Sequence, residues 1–292
     1  MCVTCGCSND ANTTMTNPET GEVVEMNRER EHHHTHTLPD GTVITHAHSH
    51  ASSHSHSQSR EHHHHNGTEV AQVHAKMHGT TVTLEQNILV KNDLLAAQNR
   101  GWFKGRNILA LNLVSSPGSG KTTLLTRTIN DLKDKFPIYV IEGDQETSND
   151  AKKIQATGCK VVQINTGTGC HLEAAMVERG LQELNPPLNS IVMIENVGNL
   201  VCPALFDLGE RAKVAILSVT EGEDKPIKYP HMFRASEVMI LTKIDLLPYV
   251  QFDVNRCIEY AKQVNPKMQI FQVSATTGFG LESWYDWIAA NC

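Results

Sequence analysis

A glycine-rich stretch between an apolar segment and a helical one limits the fold of this chain more than any other feature. The segment ILALNLV (108–114) is typical of a buried strand, SSPGSGKTT (115–123) follows it directly, and LLTRTINDLKDKF (124–136) has a helical pattern. Gly118 and Gly120 allow the backbone to curl until its amide groups point at a phosphate, and the helix N-terminus adds a favourable dipole. This order of strand, loop and helix predicts an α/β domain with a phosphate-binding loop.

One position of this loop departs from the strict phosphate-binding pattern, because Ser115 stands where that pattern has Gly. An ordinary glycine-rich turn is the alternative interpretation, and the flanking strand and helix argue against it. In a phosphate-binding loop, Lys121 would reach the β- and γ-phosphates and Thr122 would bind Mg²⁺. The predicted nucleotide contacts of the loop are Gly118, Ser119, Gly120, Lys121, Thr122 and Thr123.

Six further short apolar segments follow the loop, with helical patterns between most of them. They are PIYVIE (137–142), KVVQI (160–164), SIVMIE (190–195), KVAILSV (213–219), EVMILT (237–242) and QIFQV (269–273). Several are apolar almost throughout, which suits strands that are buried on both faces of a parallel sheet. The sequence therefore predicts a doubly wound, mostly parallel sheet of about seven strands, with ligands at the carboxyl ends of the strands.

Polar residues at two of these strand ends match the needs of a nucleotide site. Asp144 follows the second strand and could hold the Mg²⁺ shell or orient the attacking water, so we predict catalytic roles for Asp144 and Lys121. The fourth strand ends at Glu195, and Gly198 beyond it could donate a backbone N–H to the γ-phosphate. Ordinary polar residues at strand ends are the alternative.

The last two strand ends predict recognition of guanine. Thr242, Lys243 and Asp245 follow the sixth strand, where a carboxylate could accept from guanine N1–H and its exocyclic amine while the Lys243 stem covers the base. Adenine has no donor at N1, so this carboxylate favours GTP over ATP. Ser274 and Ala275 follow the seventh strand and are expected to contact the base oxygen through the backbone.

Composition narrows the class of protein. The chain has 292 residues and a net charge of -7, without an apolar run of transmembrane length or an N-terminal secretory pattern. We therefore expect a cytoplasmic protein with no membrane partner, in which the eight cysteines are thiols or metal ligands. The mild acidity and the lack of a basic stripe argue against a nucleic-acid partner.

Histidine is concentrated in the first part of the chain. Fifteen of the seventeen histidines precede residue 79, in clusters such as EHHHTH (31–36) and EHHHH (61–65) spaced by polar residues. Such a segment has too little apolar surface to offset its ordering entropy, so we expect disorder together with metal binding. A purification tag and a pH-responsive solvated tail are the alternatives. Beyond it, Thr83 and Gln86 resemble a capping box that would begin a helix near residue 83, with Leu84, Ile88 and Leu95 on one face.

Two groups of cysteines could bind metal. Cys170 and His171 are placed at a helix start after the third strand, where a thiolate is favoured, and Cys202 follows Gly198 by four residues. Two thiolates and an imidazole suit Zn²⁺ or Ni²⁺ but leave a closed tetrahedron one ligand short. Buried apolar cysteines are the alternative interpretation.

The second group lies in MCVTCGC (1–7), which opens the chain. Cys2, Cys5 and Cys7 offer three thiolates, and the free α-amino group lies one residue away. Three sulfurs and a nitrogen can form the planar site that Ni(II) accepts and Zn²⁺ does not prefer. Half of a zinc knuckle is the alternative, although no second Cys/His pair with zinc-finger spacing follows nearby.

Over residues 1–7 and nearly all of 84–292, the chain resembles the HypB family of GTPases, which help to insert nickel into [NiFe]-hydrogenases. The motifs that carry this resemblance are MCVTCGC, the His-rich tail, SSPGSGKTT, IEGDQET, NTGTGCHLEA, IENVGNLVCPA, SVTEGEDKPIKYPHMF and TKIDLLPY. The resemblance implies the SIMIBI branch of P-loop GTPases, slow intrinsic hydrolysis and GTP-promoted homodimers. It also implies a tight nickel site at the N-terminal cysteines and a weaker Ni/Zn site on Cys170, His171 and Cys202 near the dimer interface.

The same resemblance implies two partners, a HypA-type nickel chaperone and the precursor of the hydrogenase large subunit. We therefore expect an N-terminal nickel motif (1–7), a disordered His-rich tail (8–83) and a P-loop GTPase domain (84–292) with GTP, Mg²⁺, Ni²⁺ and Zn²⁺ as ligands. A urease-type nickel-chaperone GTPase and a nickel storage protein with a vestigial nucleotide site are the alternatives.

Overall fold

In this computed structural model, the structure describes residues 13–26, 32–37, 43–48, 69–145 and 149–292, with the backbone alone for 32–37, 43–48 and 69–86. The chain divides into two compact units, residues 27–86 and the remainder. Within the smaller unit, β3 (His32–Thr37) pairs antiparallel with β4 (Val43–His48).

The larger unit holds the remaining strands and most of the helices. The first strands, β1 (Thr14–Thr16) and β2 (Val23–Glu25), precede the smaller unit, and the long helix α1 (Glu69–Gly105) follows β4. The later strands are β5 (Leu109–Ser115), β6 (Ile138–Asp144), β7 (Lys160–Asn165), β8 (Ile191–Glu195), β9 (Ala212–Ser218), β10 (Val238–Thr242) and β11 (Gln269–Gln272). The helices among them are α2 (Lys121–Leu132), α3 (Asn149–Gln155), α4 (Ala174–Leu184), α5 (Lys225–Lys228), α6 (Pro230–Ala235), α7 (Val254–Val264) and α8 (Leu281–Asn291).

The seven strands expected from the sequence form one parallel sheet, so the predicted fold class is confirmed. Across the full sheet the strand order is β11-β10-β9-β5-β8-β6-β7-β1-β2, and every pair from β11 to β7 is parallel. Since parallel strands end at the same edge, the residues after β5, β6, β8 and β10 converge there.

Helices cover both faces of this sheet because the central strand is apolar on both sides. Leu111 and Leu113 of β5 pack in a cluster that includes Trp284 of α8, whereas Ala110 packs on the opposite face in a cluster with Phe103 of α1. Successive side chains of a strand point to opposite faces of the sheet. A strand that is apolar at every position therefore needs helices packed on both faces. The sheet thus separates the core into two clusters, and the edge of the sheet at the carboxyl ends of the strands is where a ligand is expected.

The structure corrects the extent of the segment that composition predicted to be disordered. Residues 13–26 extend the sheet by two antiparallel strands, since β1 pairs with β7 and β2 pairs with β1. Met26 is buried and Met15 packs on the same apolar cluster, so these side chains supply the apolar contact that the His-rich part lacks. The His clusters between residues 49 and 68 lie outside the described residues.

The helix before the first core strand also differs from its prediction. It begins at Glu69 rather than near Thr83, because the residues before the capping-box pattern are already helical. Ile88, expected on the buried face, is exposed, and the buried face carries Asn92, Ala96, Asn99 and Phe103. Both asparagines are bound in place: Asn92 donates to the Asp207 carbonyl, and Asn99 donates to the carbonyls of Ala174 and Leu208.

None of the helices in the described ranges is long and apolar enough to span a membrane.

Candidate nucleotide and metal site

The loop between β5 and α2 has the geometry of a phosphate cradle. Gly118 and Gly120 have φ values of 76° and 90°, in the left-handed region that glycine enters without a steric penalty. Gly120 is the N-cap residue of α2 and has no side chain to cap the helix, so the first amide groups of α2 remain available to a ligand in the loop. Ser115, the departure from the strict pattern, is buried at the end of β5 and its hydroxyl donates to the Ser116 carbonyl at 2.9 Å.

Both loop residues predicted to bind phosphate and Mg²⁺ meet at a single carboxylate. Lys121 Nζ lies 2.8 Å from Glu195 Oε1, and Thr122 Oγ1 donates to the same oxygen at 2.6 Å. Glu195 ends β8 and is 1% exposed, so its negative charge lies in the protein interior directly under the loop. Glu195, which the sequence analysis predicted as a nucleotide-site residue at a strand end, accepts from both Lys121 and Thr122 and is the acidic group that these loop residues contact.

A second buried carboxyl, which was not among the residues predicted from the sequence, lies beside Glu195. Glu142 on β6 is the direct register partner of Glu195 on β8. Burial, followed by the charges of Glu195 and Asp144, raises the pKa of Glu142 to about 9. In the described part of the chain, Oε2 of Glu142 and Oε2 of Glu195 are buried without hydrogen-bond partners, which fits a hydrated cation such as Mg²⁺ at this point. The sequence feature that could have identified Glu142 is an acidic residue directly after the apolar run of residues 137–141.

The predicted guanine-binding segment is attached to the phosphate loop. Thr242 Oγ1 donates to the Ser119 carbonyl at 2.7 Å, and Lys243 Nζ donates to the Gly118 carbonyl at the same distance. Lys243 has a φ of 59°, which turns the chain sharply into a 3-10 helix (Ile244–Tyr249) with Asp245 in its first turn. These contacts place the segment after β10 against the loop that would hold the phosphates.

The loop after β11 lies close to the same helix. Arg127 of α2 donates to the Ala275 carbonyl at 3.1 Å. The Ser274 amide donates to the Phe279 carbonyl, and the Ser274 hydroxyl accepts from the Thr277 amide. Because the Ser274 amide already donates within this turn, the expected backbone contact of Ser274 to a base would have to replace this hydrogen bond.

The segment after β8 contacts the phosphate loop. A Cβ at Gly198 would lie 3.2 Å from the Cα, N and Cγ atoms of Pro117, so only glycine allows this approach without a shift. Asp144, at the end of β6, is half-buried, and its carboxylate accepts from the Gln145 amide. Gly198 therefore lies against the phosphate loop, and its contact with a γ-phosphate stays a prediction. Residues 146–148 are outside the described ranges.

Cys170, His171 and Cys202 converge into one cluster, as their chemistry predicted. Their candidate ligand atoms all lie within 4.8 Å of one another. Cys170 Sγ is 3.7 Å from Nδ1 of His171, and burial lowers the pKa of His171 to about 4, so the imidazole is neutral at pH 7. A neutral imidazole and two thiols within this distance fit a divalent ion such as Ni²⁺ or Zn²⁺.

Residues around the cluster contact the His171 ring and the turn that follows Cys202. Nε2 of His171 is buried and lies 3.7 Å from the Glu173 carboxylate, while the imidazole ring stacks on Phe206 with a centroid distance of 3.8 Å. The buried Lys213 donates to the carbonyls of Pro203 and Phe206 at 2.6 and 3.2 Å, which fixes the turn that follows Cys202. Lys213 was not predicted from the sequence, where it appeared as a charged residue at the start of an apolar segment.

A buried polar network joins this cluster to the centre of the sheet. Asn112 of β5 donates to Glu210 and accepts from Asn196, whose side-chain oxygen accepts from the Leu172 amide. Asn199 donates to the Cys170 carbonyl at 3.3 Å. The chain from Asn196 to Cys202 thus touches both the phosphate loop, through Gly198, and the metal cluster.

The remaining predicted residues are less informative. Thr123 is exposed at the first turn of α2. Cys2, Cys5 and Cys7 lie outside the described residues, so the proposed N-terminal site stays a prediction from sequence.

Comparison with known proteins agrees with this geometry. The family model described as "CobW/HypB/UreG, nucleotide-binding domain" matches residues 109–272. The hydrogenase maturation factor HypB of Escherichia coli (strain K12) is 58% identical over 205 residues, which is 70% of this chain and 71% of that protein.

Two solved structures are similar over most of their own length. HypB from Archaeoglobus fulgidus has a TM-score of 0.65 at 36% identity, covering 69% of this chain and 98% of that chain. HypB from Helicobacter pylori, solved in complex with nickel, has a TM-score of 0.65 at 38% identity, covering 68% of this chain and 94% of that chain. Because the family model spans more than half of the chain and these relatives are matched over more than two thirds of their length, the chain belongs to the CobW/HypB/UreG family of nucleotide-binding domains, in its HypB group of hydrogenase maturation factors.

Proposed function

We propose that the chain is a cytoplasmic, GTP-hydrolysing metallochaperone that binds nickel and delivers it for the maturation of [NiFe]-hydrogenase. One observation carries this proposal: residues 196–202 connect Gly198, in contact with Pro117 of the phosphate loop, to Cys202 of the metal cluster. A nucleotide site and a metal site that share one short segment suit a protein in which GTP controls a metal ion.

The nucleotide is GTP in this proposal. Asp245 accepts from guanine N1–H and the exocyclic amine, and the Lys243 stem covers the base while its amine holds the Gly118 carbonyl. The Ala275 amide contacts the base oxygen. Thr242 and Lys243 donate hydrogen bonds to the phosphate loop. The residues proposed to bind the base are therefore held directly against the residues proposed to bind the phosphates.

Hydrolysis is the attack of water on the γ-phosphate. Lys121 would neutralise charge on the β- and γ-phosphates, and Thr122 and Glu195, whose side chains are hydrogen-bonded to each other, would hold the cation. Asp144 orients water, and the Gly198 amide donates to the γ-phosphate. Bound Mg²⁺ would neutralise phosphate charge during the displacement. The site residues proposed here include neither an arginine finger nor a catalytic glutamine, so we expect slow turnover by the chain alone.

Nickel or zinc is the metal at the Cys170, His171 and Cys202 cluster, and nickel is the cargo. The donors are one imidazole and two thiolates, which leaves room for a fourth ligand from water or a second subunit. We further propose a GTP-dependent homodimer, a HypA-type chaperone as metal partner and the hydrogenase large-subunit precursor as the final acceptor. The maturation-factor names of the relatives support these partners.

Two other functions remain candidates. A storage protein with a vestigial nucleotide site is disfavoured because Lys121, Thr122 and Glu195 form a complete bonded set under an intact loop. A urease-type nickel chaperone shares the same fold family, and the MCVTCGC motif and the CH…C cluster favour the hydrogenase type.

The test is the rate of phosphate release from GTP and ATP, with the oligomeric state measured by light scattering, each with and without Ni²⁺. We expect GTP turnover to exceed ATP turnover and GTP to shift the chain toward dimer. Lys121→Ala should abolish turnover, while Lys160→Ala, an exposed lysine at the start of β7, should leave it unchanged. Equal and negligible turnover of both nucleotides by a folded chain would favour the storage protein.

A further inference from the structure

The two ring nitrogens of His171 face two different groups. Cys170 Sγ lies 3.7 Å from Nδ1, whereas the carboxylate of Glu173 lies 3.7 Å from Nε2. Around a tetrahedral ion, a sulfur ligand at about 2.3 Å and a nitrogen ligand at about 2.0 Å would be roughly 3.5 Å apart. The Nδ1 edge of the ring therefore has the spacing of a metal ligand beside Cys170, and Nε2 points away from that position.

The other edge of the ring holds a buried nitrogen that needs a partner. His171 is 4% exposed, and its Nε2 is buried without a hydrogen-bond partner among the residues that the structure describes. A neutral imidazole that binds a metal ion through Nδ1 carries its proton on Nε2. Because buried N–H groups are normally hydrogen-bonded, metal binding at Nδ1 creates the need for an acceptor at Nε2.

The Glu173 carboxylate is placed to be that acceptor. Glu173 is the N-cap residue of α4, but its side chain makes no hydrogen bond to the helix. The Met176 and Val177 amides donate to its carbonyl, which fixes its backbone and leaves its side chain free to turn. The distance of 3.7 Å to Nε2 exceeds a usual N–H···O bond by about 0.8 Å. Rotation of the Glu173 side chain can close this gap, whereas stacking on Phe206 restricts the His171 ring.

Glu173 lies outside the group of atoms that could bind the ion directly. Among the described residues, Cys170, His171 and Cys202 form the cluster whose ligand atoms lie within 4.8 Å of one another, and Glu173 is not a member of it. A carboxylate that bonds the second nitrogen of a metal-binding imidazole fixes the orientation and tautomer of the ring and raises its basicity. The position of Glu173 matches this indirect role.

We propose that Glu173 is a positioning residue of the metal cluster. Its carboxylate accepts a hydrogen bond from Nε2–H of His171 and so holds Nδ1 toward the ion that Cys170 and Cys202 bind. The inference rests on the proposed function, which assigns metal binding to these three residues. It adds a residue that acts through the imidazole and never touches the ion.

The test measures occupancy of this one cluster in the full-length chain. Each protein is equilibrated with Zn²⁺ at free concentrations set by a chelator, so that metal bound elsewhere in the chain does not change the free concentration. A brief pulse of alkylating reagent and mass spectrometry then report the protection of Cys170, which is partly exposed. The variants are Glu173→Ala and Glu173→Gln, with Glu178→Ala on the same helix as the matched control.

We expect Glu173→Ala to raise the free Zn²⁺ concentration for half-protection by about 10- to 100-fold, the usual effect of losing such a partner. Glu173→Gln, which retains an acceptor oxygen and nearly the same shape, should bind more tightly than Glu173→Ala. Glu178→Ala should match the unmutated chain. Unchanged half-protection in Glu173→Ala, or no recovery in Glu173→Gln, would overturn the proposal.

A double-mutant cycle separates positioning from direct binding. In a chain that already has His171→Ala, the further change Glu173→Ala should leave Zn²⁺ affinity unchanged, because Glu173 acts through the missing ring. A further loss of affinity there would overturn the proposal, since Glu173 would then act on the ion without His171. Absence of any Zn²⁺ protection of Cys170 in the unmutated chain is a different failure, which would refute the proposed metal cluster and this inference with it.

Discussion

At the scale of single residues, Glu142 shows how burial in a folded site keeps a carboxyl group protonated at neutral pH. Its pKa is raised from 4.5 to about 9 by burial beside Glu195 and Asp144, so the folded chain binds a proton that the unfolded chain has lost at neutral pH. A raised carboxyl pKa makes stability fall as pH rises from the unfolded value toward the folded one. The cost at pH 7 is about 3 kcal/mol.

Glu142→Gln should therefore stabilise the fold at pH 7 and above in the absence of nucleotide and Mg²⁺. Denaturant unfolding at pH 6, 7 and 8 measures the difference, which should widen by up to about 1.4 kcal/mol per pH unit. Glu282→Gln, at an exposed position of α8, is the control and should change little. Parallel pH profiles for the wild type and Glu142→Gln would show that Glu142 ionises normally in the folded chain.

Asp245 is the second residue whose role can be tested alone. Asp245→Asn should lose the preference for GTP, because the amide places a donor against guanine N1–H and the amine. Xanthosine triphosphate should gain affinity, since it presents an acceptor where guanine has the amine. Competition among GTP, ATP and xanthosine triphosphate measures this, with Asp253→Asn at the N-cap of α7 as the control. An undiminished preference for GTP would rule out base recognition by Asp245.

At the scale of elements, the segment from β8 to Cys202 is the part that nucleotide and metal share. Gly198 and Cys202 are four residues apart on one segment, which spans at most about 14 Å, so we expect a movement of Gly198 toward a γ-phosphate to shift Cys202 as well. Metal affinity of the cluster should therefore differ between the GTP and GDP forms, and linkage requires that metal shifts nucleotide affinity equally.

Cys202→Ala should lower metal affinity and make what remains nearly independent of the nucleotide. Metal titrations with GDP and with a non-hydrolysable GTP analogue measure this in chains that have Cys2, Cys5 and Cys7 replaced by Ala and residues 30–66 deleted. Cys257→Ala, which removes a buried thiol of α7, is the control and should keep the difference. The coupling is refuted if the unmutated cluster binds metal equally in both nucleotide forms.

At the scale of the whole molecule, the hairpin formed by β1 and β2 limits how much of the N-terminal segment can be deleted without exposing the sheet. Deleting residues 8–83 would also remove β1, β2 and part of α1, which exposes the β7 edge and the apolar surface under Met15 and Met26. Deleting residues 30–66 removes thirteen histidines and retains the hairpin and α1.

The 30–66 deletion should lower nickel capacity severalfold and leave the GTPase rate nearly unchanged, since none of the nucleotide-site residues lies in that range. Equilibrium dialysis and phosphate release measure the two properties. The 8–83 deletion should in addition lower the melting temperature, because it uncovers buried side chains. Unchanged nickel stoichiometry after the 30–66 deletion would show that the His clusters store no metal.

The sequence predicted the parts of the site that depend on local chemistry. Continuous apolar segments specified strands buried on both faces, and glycines at 118 and 120 specified the loop, because these requirements act within a few residues. It failed where burial depends on distant partners. Met15 and Met26 look like isolated apolar residues in a polar segment until β7 lies beside them. Thr83 resembles a helix start only if the preceding residues are not helical.

By itself, the sequence determined the order of strands and helices, the phosphate loop and the residue types that can bind guanine and metal. Only the tertiary structure decided which of these side chains meet. The pairing of β6 with β8 sets Glu142 against Glu195, and the fold brings Cys202 to Cys170 and His171 from 32 and 31 residues away along the chain. Periodicity and motif spacing report contacts along one element, whereas the pKa of a carboxyl and the ligands of a metal depend on elements that are neighbours only in the folded sheet.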